Sequence, residues 1–572
     1  MHNKGQKQHY STPMCNIKFT ENVTQYTKKP FFATLAFLIL TFLLVSACRT
    51  GEKLTECINP LTYTDIPDND WIRVGDDYYM VSTTMYFCPG APIMHSKDLV
   101  HWEIVSYVYD CLEDDDVYNL RNEKNAYGRG QWATSLRYEN GTFYALFIAN
   151  DQGKTYIYKT NDIRSSHWER SVINRPFHDA SMLFENGHLY IVWGNGDLRI
   201  IELEPDGSGI KTGAEEKVLI SAPKEGYGLR AEGSHFYHIG DYYYLLEINW
   251  PIGGPRTERC WRSKELFGKY ESKVILSGPF DGRGDGVAQG GIIQTQKGDW
   301  YAIMFQDHGA VGRIPTLQPV TWVEDWPILG ENTIPVKQFS VNLPESGKNR
   351  VWANDEFDYD SEDKLDLVWQ WNHKPDNALW STTERQGWLR LKTGHLAEDI
   401  MHARNTLTQR TVGPRCISEV KLDASGMKPG DRAGLCAFQS NYCRIGVEVA
   451  EDGNKYLVGI NRVPPERHMK HKQPEESENN GEREVFRMKL EQNEVWLRIR
   501  YVFTPQEDDT IGPDMAFMNW STDGMHWTEI REGLQMKYTL DLFTGYRSAL
   551  YNYSTSETGG YADFDYFHQQ TY

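Results

Sequence analysis

The amino-acid sequence predicts an all-β chain with at least two domains. Aromatic residues make up 13% of the chain, and 48 glycines punctuate short apolar runs, a balance typical of strands joined by turns. A hairpin-like motif of a glycine followed by aromatic and apolar residues recurs five times in the first half. A chain of 572 residues is too long for one hydrophobic core, so a second domain is expected.

The first segment resembles an export signal. Lys28-Lys29-Pro30 precedes an uncharged apolar run from Phe31 to Val45, which is short for a membrane span and suits a signal-peptide core. The sequence Val45-Ser46-Ala47-Cys48 that ends this run resembles a bacterial lipobox. We therefore predict a signal peptide with lipobox over residues 1–48, lipidation at Cys48, and an exported protein anchored to a bacterial envelope membrane. An ordinary signal peptide or a short anchor helix is the alternative.

The repeated motif predicts the architecture of residues 55–330. Its turn glycines are separated by 46 to 66 residues, and they are Gly75, Gly141, Gly187, Gly240 and Gly298. A hairpin that returns at this period is the signature of propeller blades, each of which is a four-stranded sheet. Five copies predict a five-bladed β-propeller. A β-sandwich is the alternative, but sandwiches do not repeat an aromatic hairpin at such intervals.

A second β-rich region follows the propeller. Residues 331–354 are mostly polar and are predicted to form a linker. Residues 355–572 contain short strand-like runs, such as Trp388 to Leu391, joined by turn residues. This pattern favours a β-sandwich, of the jelly-roll type, as the second domain.

Charge and cysteine usage exclude several classes of partner. The net charge of −19 argues against nucleic acid, whereas a neutral polysaccharide is compatible with it. The nine cysteines show no metal-ligand spacing, so a zinc site is not expected. Membrane association is expected only through the lipid anchor. The sequence leaves disulfides and the oligomeric state open.

Three carboxylates occupy similar places in different repeats. Asp68 lies 7 residues before its turn glycine, and Asp179 and Glu232 each lie 8 residues before theirs. Innermost strands line the central channel of a propeller, so these side chains should converge on one mouth of it. When carboxylates lie close together their pKa values move apart, and acid–base catalysis requires a base and an acid with different pKa values. Asp65 and Asp70 compete with Asp68 for its role.

Motifs throughout the chain resemble those of family 43 glycoside hydrolases. In the first region they are Asn59-Pro60, Pro67-Asp68-Asn69-Asp70-Trp71, Ser96-Lys97-Asp98-Leu99, Trp132-Ala133-Thr134-Ser135, His178-Asp179-Ala180-Ser181, Glu232-Gly233-Ser234-His235, Gly312-Arg313 and Leu317-Gln318-Pro319-Val320. In the second region they include Trp369-Gln370-Trp371-Asn372-His373 and Gly560-Tyr561-Ala562-Asp563-Phe564. The latter resemble the concanavalin-like β-sandwich of the xylosidase and arabinofuranosidase members of the family.

The resemblance implies a reaction and a set of roles. Members of this family invert the anomeric centre, so Asp68 would be the base that activates water and Glu232 the acid. Asp179 would tune and orient the acid. An additional set of residues is expected to bind the substrate: Arg313, Trp132, Gln289 and Phe87.

Two positions depart from the family pattern. Asn69 stands where proline is common, and Ala288 stands where the family usually has a channel histidine associated with calcium or a water network. We therefore expect no metal in the channel, with activity either reduced or maintained by a network rebuilt around Gln289. No cofactor is expected to be required, although a structural calcium ion near Glu356 and Asp565 is an expectation for the second domain.

The resulting hypothesis is a glycoside hydrolase that removes terminal β-xylose or α-L-arabinofuranose from plant-type polysaccharides or oligosaccharides. A catalytically weak carbohydrate-binding propeller is the alternative that Ala288 and Asn69 keep open. A fructan-cleaving retaining enzyme is a further alternative. It fits less well, because the chain has Asp68-Asn69 and Glu232-Gly233 in place of the nucleophile and acid motifs of those enzymes.

Overall fold

Strands dominate the part of the protein that the computed structural model describes, which is residues 53–360, 362–464, 480–503 and 512–572. The predicted propeller followed by a sandwich is confirmed. In these ranges no helix has the length and apolar character needed to cross a membrane. The predicted signal peptide and the lipidation site Cys48 lie outside the described residues.

The first described strand, β1 (Leu54–Ile58), precedes five four-stranded antiparallel sheets. Blade 1 contains β2 Asp70–Val74, β3 Asp77–Val81, β4 Gly90–Ser96 and β5 Glu103–Tyr109. Blade 2 contains β6 Ser135–Glu139, β7 Thr142–Ala149, β8 Lys154–Thr160 and β9 Glu169–Ile173. Blade 3 contains β10 Ser181–Glu185, β11 His188–Trp193, β12 Asp197–Leu203 and β13 Lys217–Ser221.

Two further blades complete the ring. Blade 4 contains β14 Tyr227–Ile239, β15 Tyr242–Pro251, β16 Thr257–Ser263 and β17 Glu271–Ser277. Blade 5 contains β18 Ala288–Gln294, β19 Trp300–Asp307, β20 Arg313–Val323 and β21 Trp326–Leu329, with a 3₁₀ turn at Gly309–Val311. The innermost strands β2, β6, β10, β14 and β18 neighbour one another in a closed circle, so their starts meet around one channel.

The recurring glycines lie in the turns between the first two strands of each blade. Gly75, for example, has φ 64°, a left-handed conformation that glycine adopts without strain. The alternation that follows each glycine forms the second strand, with its apolar residues buried between blades. The motif therefore predicted the blades correctly, because it is local to each hairpin.

The segment predicted as a polar linker carries a strand. β22 (Gln338–Pro344) pairs antiparallel with β1 in a separate two-stranded sheet. Val341 and Leu343 are buried in the core of the propeller, and polar residues alternate with them. Residues 331–354 are thus not simply a linker, since part of them returns to pair with the start of the described chain.

The second domain consists of two packed antiparallel sheets, with a short 3₁₀ turn at Asn377–Leu379. Its strands are β23 Gln370–Trp371, β24 Trp380–Ser381, β25 Leu389–Lys392, β26 Leu407–Arg410, β27 Arg415–Asp423, β28 Asp431–Phe438, β29 Tyr442–Val449, β30 Lys455–Arg462, β31 Glu482–Lys489, β32 Glu494–Val502, β33 Met515–Ser521, β34 Thr528–Glu529, β35 Leu534–Gln535, β36 Arg547–Ser554 and β37 Tyr561–Thr571. One sheet has the order β23-β26-β36-β28-β29-β30-β31, and the other has the order β24-β25-β37-β27-β32-β33-β34, with β35 beside β33. Alternate residues of both sheets form one apolar core.

Backbone hydrogen bonds join the two domains. Cys88 donates its N–H to the carbonyl of Trp371 and accepts the N–H of that residue in return, which forms a small bridge between blade 1 and the sandwich. The N–H of Tyr546 likewise bonds the carbonyl of Ala310 in blade 5. The sandwich therefore packs against blades 1 and 5, the two blades between which the propeller ring closes.

Candidate active site

The predicted carboxylates lie at one mouth of the propeller channel. Asp68 and Asp179 sit in left-handed conformations, with φ 53° and 48°, in the turns that lead into β2 and β10. Asp179 interacts electrostatically with both Asp68 and Glu232. The geometric idea behind the prediction is therefore supported, since blades 1, 3 and 4 deliver their acids to one place.

The backbone position of Glu232 differs from that of the other two acids. Gly233, with φ 66°, occupies the left-handed position that corresponds to Asp68 and Asp179, and Glu232 precedes it. Bulges on both sides of Glu232 in β14 produce this offset. A Cβ on Gly233 would come within 2.7 Å of the Gln289 side chain in blade 5, so only glycine fits there. Glu232 itself reaches the side chains of blade 3.

Asp68 is held from the side of blade 5. Its Oδ1 accepts a hydrogen bond from Nη1 of Arg313 at 2.7 Å, and a second bond from Nε2 of Gln289 at 3.3 Å. Burial raises the pKa of Asp68 above its ordinary value, and the guanidinium of Arg313 opposes that rise. This is a carboxylate with a restricted orientation and a specific cation, as a general base requires.

The two competitors of Asp68 have structural partners. Asp65 accepts the backbone N–H groups of Arg313 and Gly545, at 2.8 and 2.9 Å. Asp70 accepts the N–H of Leu136 at 2.8 Å and pairs with Arg137 at 2.7 Å. Their oxygens are therefore engaged in holding the fold together, and Asp68 is the candidate base.

Glu232, the expected acid, is held from the side of blade 3. Its Oε2 accepts hydrogen bonds from Nδ2 of Asn195 at 2.6 Å and from Nε2 of His178 at 3.2 Å. Nε2 of His178 is also 3.7 Å from Asp179. Burial would lower the pKa of His178, but its bond to Glu232 and the surrounding carboxylates outweigh burial and raise that pKa to about 9.

Asp179 is buried beside this pair. Burial raises its pKa to about 7, the charge of His178 opposes the rise, and the charges of Glu232 and Asp68 add to it. Asp179 therefore holds a proton more readily than an ordinary aspartic acid, next to Glu232. The sequence-based reasoning missed His178 and Asn195, because it compared only carboxylates between repeats. The position of His178 immediately before Asp179 was the available signal.

The four residues predicted to bind substrate lie in different surroundings. Arg313 has two buried nitrogens, Nε and Nη2, without a protein partner, and its guanidinium lies 4.8 Å from the ring centre of Phe543. Trp132 lies 5.5 Å from the same ring and 6.1 Å from that of His178. Both residues lie beside the carboxylates, and their role in substrate binding stays a prediction. The sequence-based reasoning missed Phe543, which the sandwich domain contributes.

The position of Phe87 does not fit a substrate contact. Its side chain is 1% exposed and packs against Tyr86, with the guanidinium of Arg547 4.4 Å from its ring centre. The phenylalanine is therefore a core residue beside the second domain. Gln289, in contrast, contacts Asp68 directly and has its backbone N–H bonded to the buried Glu258.

Three places bear on metal binding. In the described ranges the group that could hold a metal ion is His178, Asp179 and Glu232, which belongs to the acid side of the site. Ala288 offers no donor atom where the family usually has a channel histidine. In the second domain Glu356 contacts the ring of His568, and Asp565 forms an ion pair with Lys421. These pairs lend no support to the calcium site, which stays a prediction.

Comparisons with known proteins identify both domains. The model of "Glycosyl hydrolases family 43" matches residues 57–327, and that of the "Beta xylosidase C-terminal Concanavalin A-like domain" matches residues 354–570. A β-xylosidase of Formosa agariphila is 29% identical, and the match covers 89% of each chain. A non-reducing end α-L-arabinofuranosidase of Bacteroides ovatus is 31% identical over 58% of this chain and 64% of its own.

Solved structures agree with this assignment. A bifunctional family 43 protein of Bacteroides eggerthii is 42% identical, and the superposition has a TM-score of 0.82. It covers 91% of this chain and 64% of that longer protein. Together with the family models, these matches show that the chain belongs to glycoside hydrolase family 43.

Proposed function

We propose that this glycoside hydrolase removes terminal β-xylose or α-L-arabinofuranose residues from plant-type polysaccharides or oligosaccharides, with Asp68 as base and Glu232 as acid. One observation carries the assignment of roles. The two carboxylates are held by different sets of residues, Asp68 by Arg313 and Gln289 of blade 5 and Glu232 by His178 and Asn195 of blade 3.

Family 43, to which the chain belongs, acts by an inverting mechanism. In that mechanism the base removes a proton from a water molecule, which attacks the anomeric carbon, while the acid protonates the departing oxygen on the opposite face. Asp68 must be ionised to accept the proton, and the Arg313 guanidinium favours its ionised form. Glu232 must donate a proton to the departing oxygen, and its carboxylate lies within hydrogen-bonding reach of His178 and Asn195 of blade 3.

The choice of a terminal sugar rests on the sandwich domain. Phe543 from that domain packs on Trp132 and beside Arg313, so it bounds the site on one side. A bounded site accepts the end of a chain more readily than its middle. The choice of pentose rests on the relatives, which include both a β-xylosidase and an α-L-arabinofuranosidase.

Turnover on aryl β-xyloside and aryl α-L-arabinofuranoside, with the configuration of the released sugar followed by NMR, tests the proposal. We expect release with inversion, and a loss of about 10²- to 10⁴-fold in kcat for Asp68→Asn and for Glu232→Gln. Asp241→Asn is the matched control, since this exposed acid lies in the turn at the far end of β14. Binding without release would instead support the carbohydrate-binding alternative, and retention would exclude the assigned roles.

We further propose that the mature protein is exported and lipid-anchored through Cys48, on the basis of the lipobox-like sequence alone. Expression in a bacterial host with a radiolabelled fatty acid tests this. Label should enter the wild-type protein and be absent from Cys48→Ser, and an unlabelled wild type would contradict the proposal.

A further inference from the structure

Blade 4 extends beyond the level of the catalytic residues. Its innermost strand β14 begins at Tyr227, five residues before Glu232, whereas β2 and β10 begin only after Asp68 and Asp179. The partner strand β15 extends with it, and Tyr227 pairs with Pro251. Bulges place these five residues opposite only the three that follow Ile248 in β15, so at about 3.3 Å per residue the wall extends about 10 Å beyond Glu232.

The wall carries an exposed tryptophan close to the acid. Trp250 of β15 pairs with Leu229, and two residues before it Ile248 pairs with Glu232. Two residues along a strand correspond to about 7 Å. The side chain of Trp250 remains 39% exposed, which is unusual for so large an apolar group in this protein.

Neighbouring groups fix the orientation of the Trp250 indole. Its Nε1 donates a hydrogen bond to the carbonyl of Gly254 at 2.9 Å, and the guanidinium of Arg256 lies 4.8 Å from the ring centre. Arg256 in turn forms an ion pair with Asp307, which pairs in the sheet with Arg313. The indole is therefore connected through two ion-paired side chains to the residue that holds the base.

A fixed and exposed indole fits the flat apolar face of a sugar ring. Arg256 lies over the indole, and the exposed part of the ring is available to a ligand. An acid that protonates the departing oxygen must lie beside the leaving group, so the leaving group extends on the side of Glu232. This is the side on which blade 4 rises.

We infer that Trp250 is a stacking platform for a sugar ring of the leaving group, on the reducing-end side of the bond that is cleaved. The inference rests on the proposed function, in which the leaving group is already a sugar, and it adds the residue that binds that sugar. Stacking of this kind contributes selectively to substrates that are long enough to reach the platform.

Substrates of two lengths test the platform. kcat/KM is measured for the methyl pentoside and for the disaccharide of the pentose that the wild type releases. Trp250→Ala should lower the ratio of disaccharide to methyl pentoside by about 5- to 10-fold, and Trp250→Phe should recover most of that loss because a ring remains. Phe267→Ala is the matched control, since Phe267 is 54% exposed with Lys217 over its ring, in a turn after β16. This control should leave the ratio unchanged.

The outcomes separate the two proposals. A wild type that cleaves neither pentoside contradicts the proposed function itself. If the wild type cleaves both substrates and Trp250→Ala has the same ratio of kcat/KM for disaccharide to methyl pentoside, the platform is overturned and the proposed function stands. Equal losses on the two substrates, accompanied by a lower melting temperature, would also overturn it, because they indicate a structural role for the indole.

Discussion

Replacing Arg313 with methionine should move the acidic limb of the pH–rate profile to higher pH. Burial already raises the pKa of Asp68, and Arg313 is the charge that opposes this rise. Without the guanidinium the buried carboxylate retains its proton to a higher pH, and a protonated Asp68 cannot act as a base. A methionine side chain can fill the space that the guanidinium leaves, because that space lies beside the apolar rings of Phe305 and Phe543.

The magnitude follows from the contact between the two groups. Nη1 of Arg313 is 2.7 Å from Oδ1 of Asp68, and both side chains are 8% exposed. Two unit charges at this distance interact by about 6 kcal/mol at an effective dielectric constant of about 20. Water that enters the gap replaces part of this interaction, and a carboxylate beside arginine typically has a pKa about 1 to 3 units lower for that reason. We therefore expect a shift of about 1 to 3 pH units.

The assay is kcat/KM on an aryl pentoside across the pH range, because this quantity reports ionisations of the free enzyme. The position of the acidic limb, not the height of the profile, is the readout, since loss of Arg313 also weakens substrate binding. Arg313→Lys keeps the charge and should leave the limb within about one unit of the wild type. An acidic limb that stays in place in Arg313→Met would refute the assignment of Asp68 as the base that titrates there.

Three further predictions use other charges and contacts of the site. His178→Asn removes the cation that opposes the rise of the pKa of Asp179, so the alkaline limb of the same profile should move to higher pH, and an unchanged limb would contradict this. Burial raises the pKa of Glu247 to about 8 from 4.5, so the folded protein binds a proton that the unfolded chain releases, and stability falls as pH rises between these values. Glu247→Gln should therefore melt at a higher temperature than the wild type at pH 8.5 and lose that advantage at pH 4, as followed by thermal denaturation. Phe543→Ala should raise KM about 10-fold with kcat nearly unchanged, because the ring bounds the site without taking part in proton transfer.

The architecture was predictable because the information is local. Each blade repeats its own turn glycine and the strand that follows, so the five copies could be counted in the sequence. The pairing of β1 with β22 was not predictable in this way, because it joins segments almost 300 residues apart. Val341 and Leu343 alternate with polar residues, as in a strand, but nothing near them in the sequence indicates that this strand pairs with β1.

The active site was predictable only in part. Asp68, Asp179 and Glu232 could be found by comparing repeats, although the bulges around Glu232 shift its backbone position by one residue. His178 and Asn195 escaped that comparison because a hydrogen bond to Glu232 requires the neighbouring blade to be in place. The burial of Phe87 was not predictable, since nothing near it in the sequence indicates that Arg547 of the second domain covers its ring; its role in substrate binding stays a prediction.

The contacts of Asp65 explain why the second domain belongs to the active site. One oxygen of Asp65 accepts the N–H of Arg313, and the other accepts the N–H of Gly545 in the sandwich. The same sandwich segment carries Phe543 two residues earlier, beside the Arg313 guanidinium. Because Arg313 orients Asp68, the docking of the sandwich reaches the proposed base through a short chain of direct contacts. On this proposal the two domains form one catalytic unit, and Asp65, which at first competed for the role of base, instead positions it.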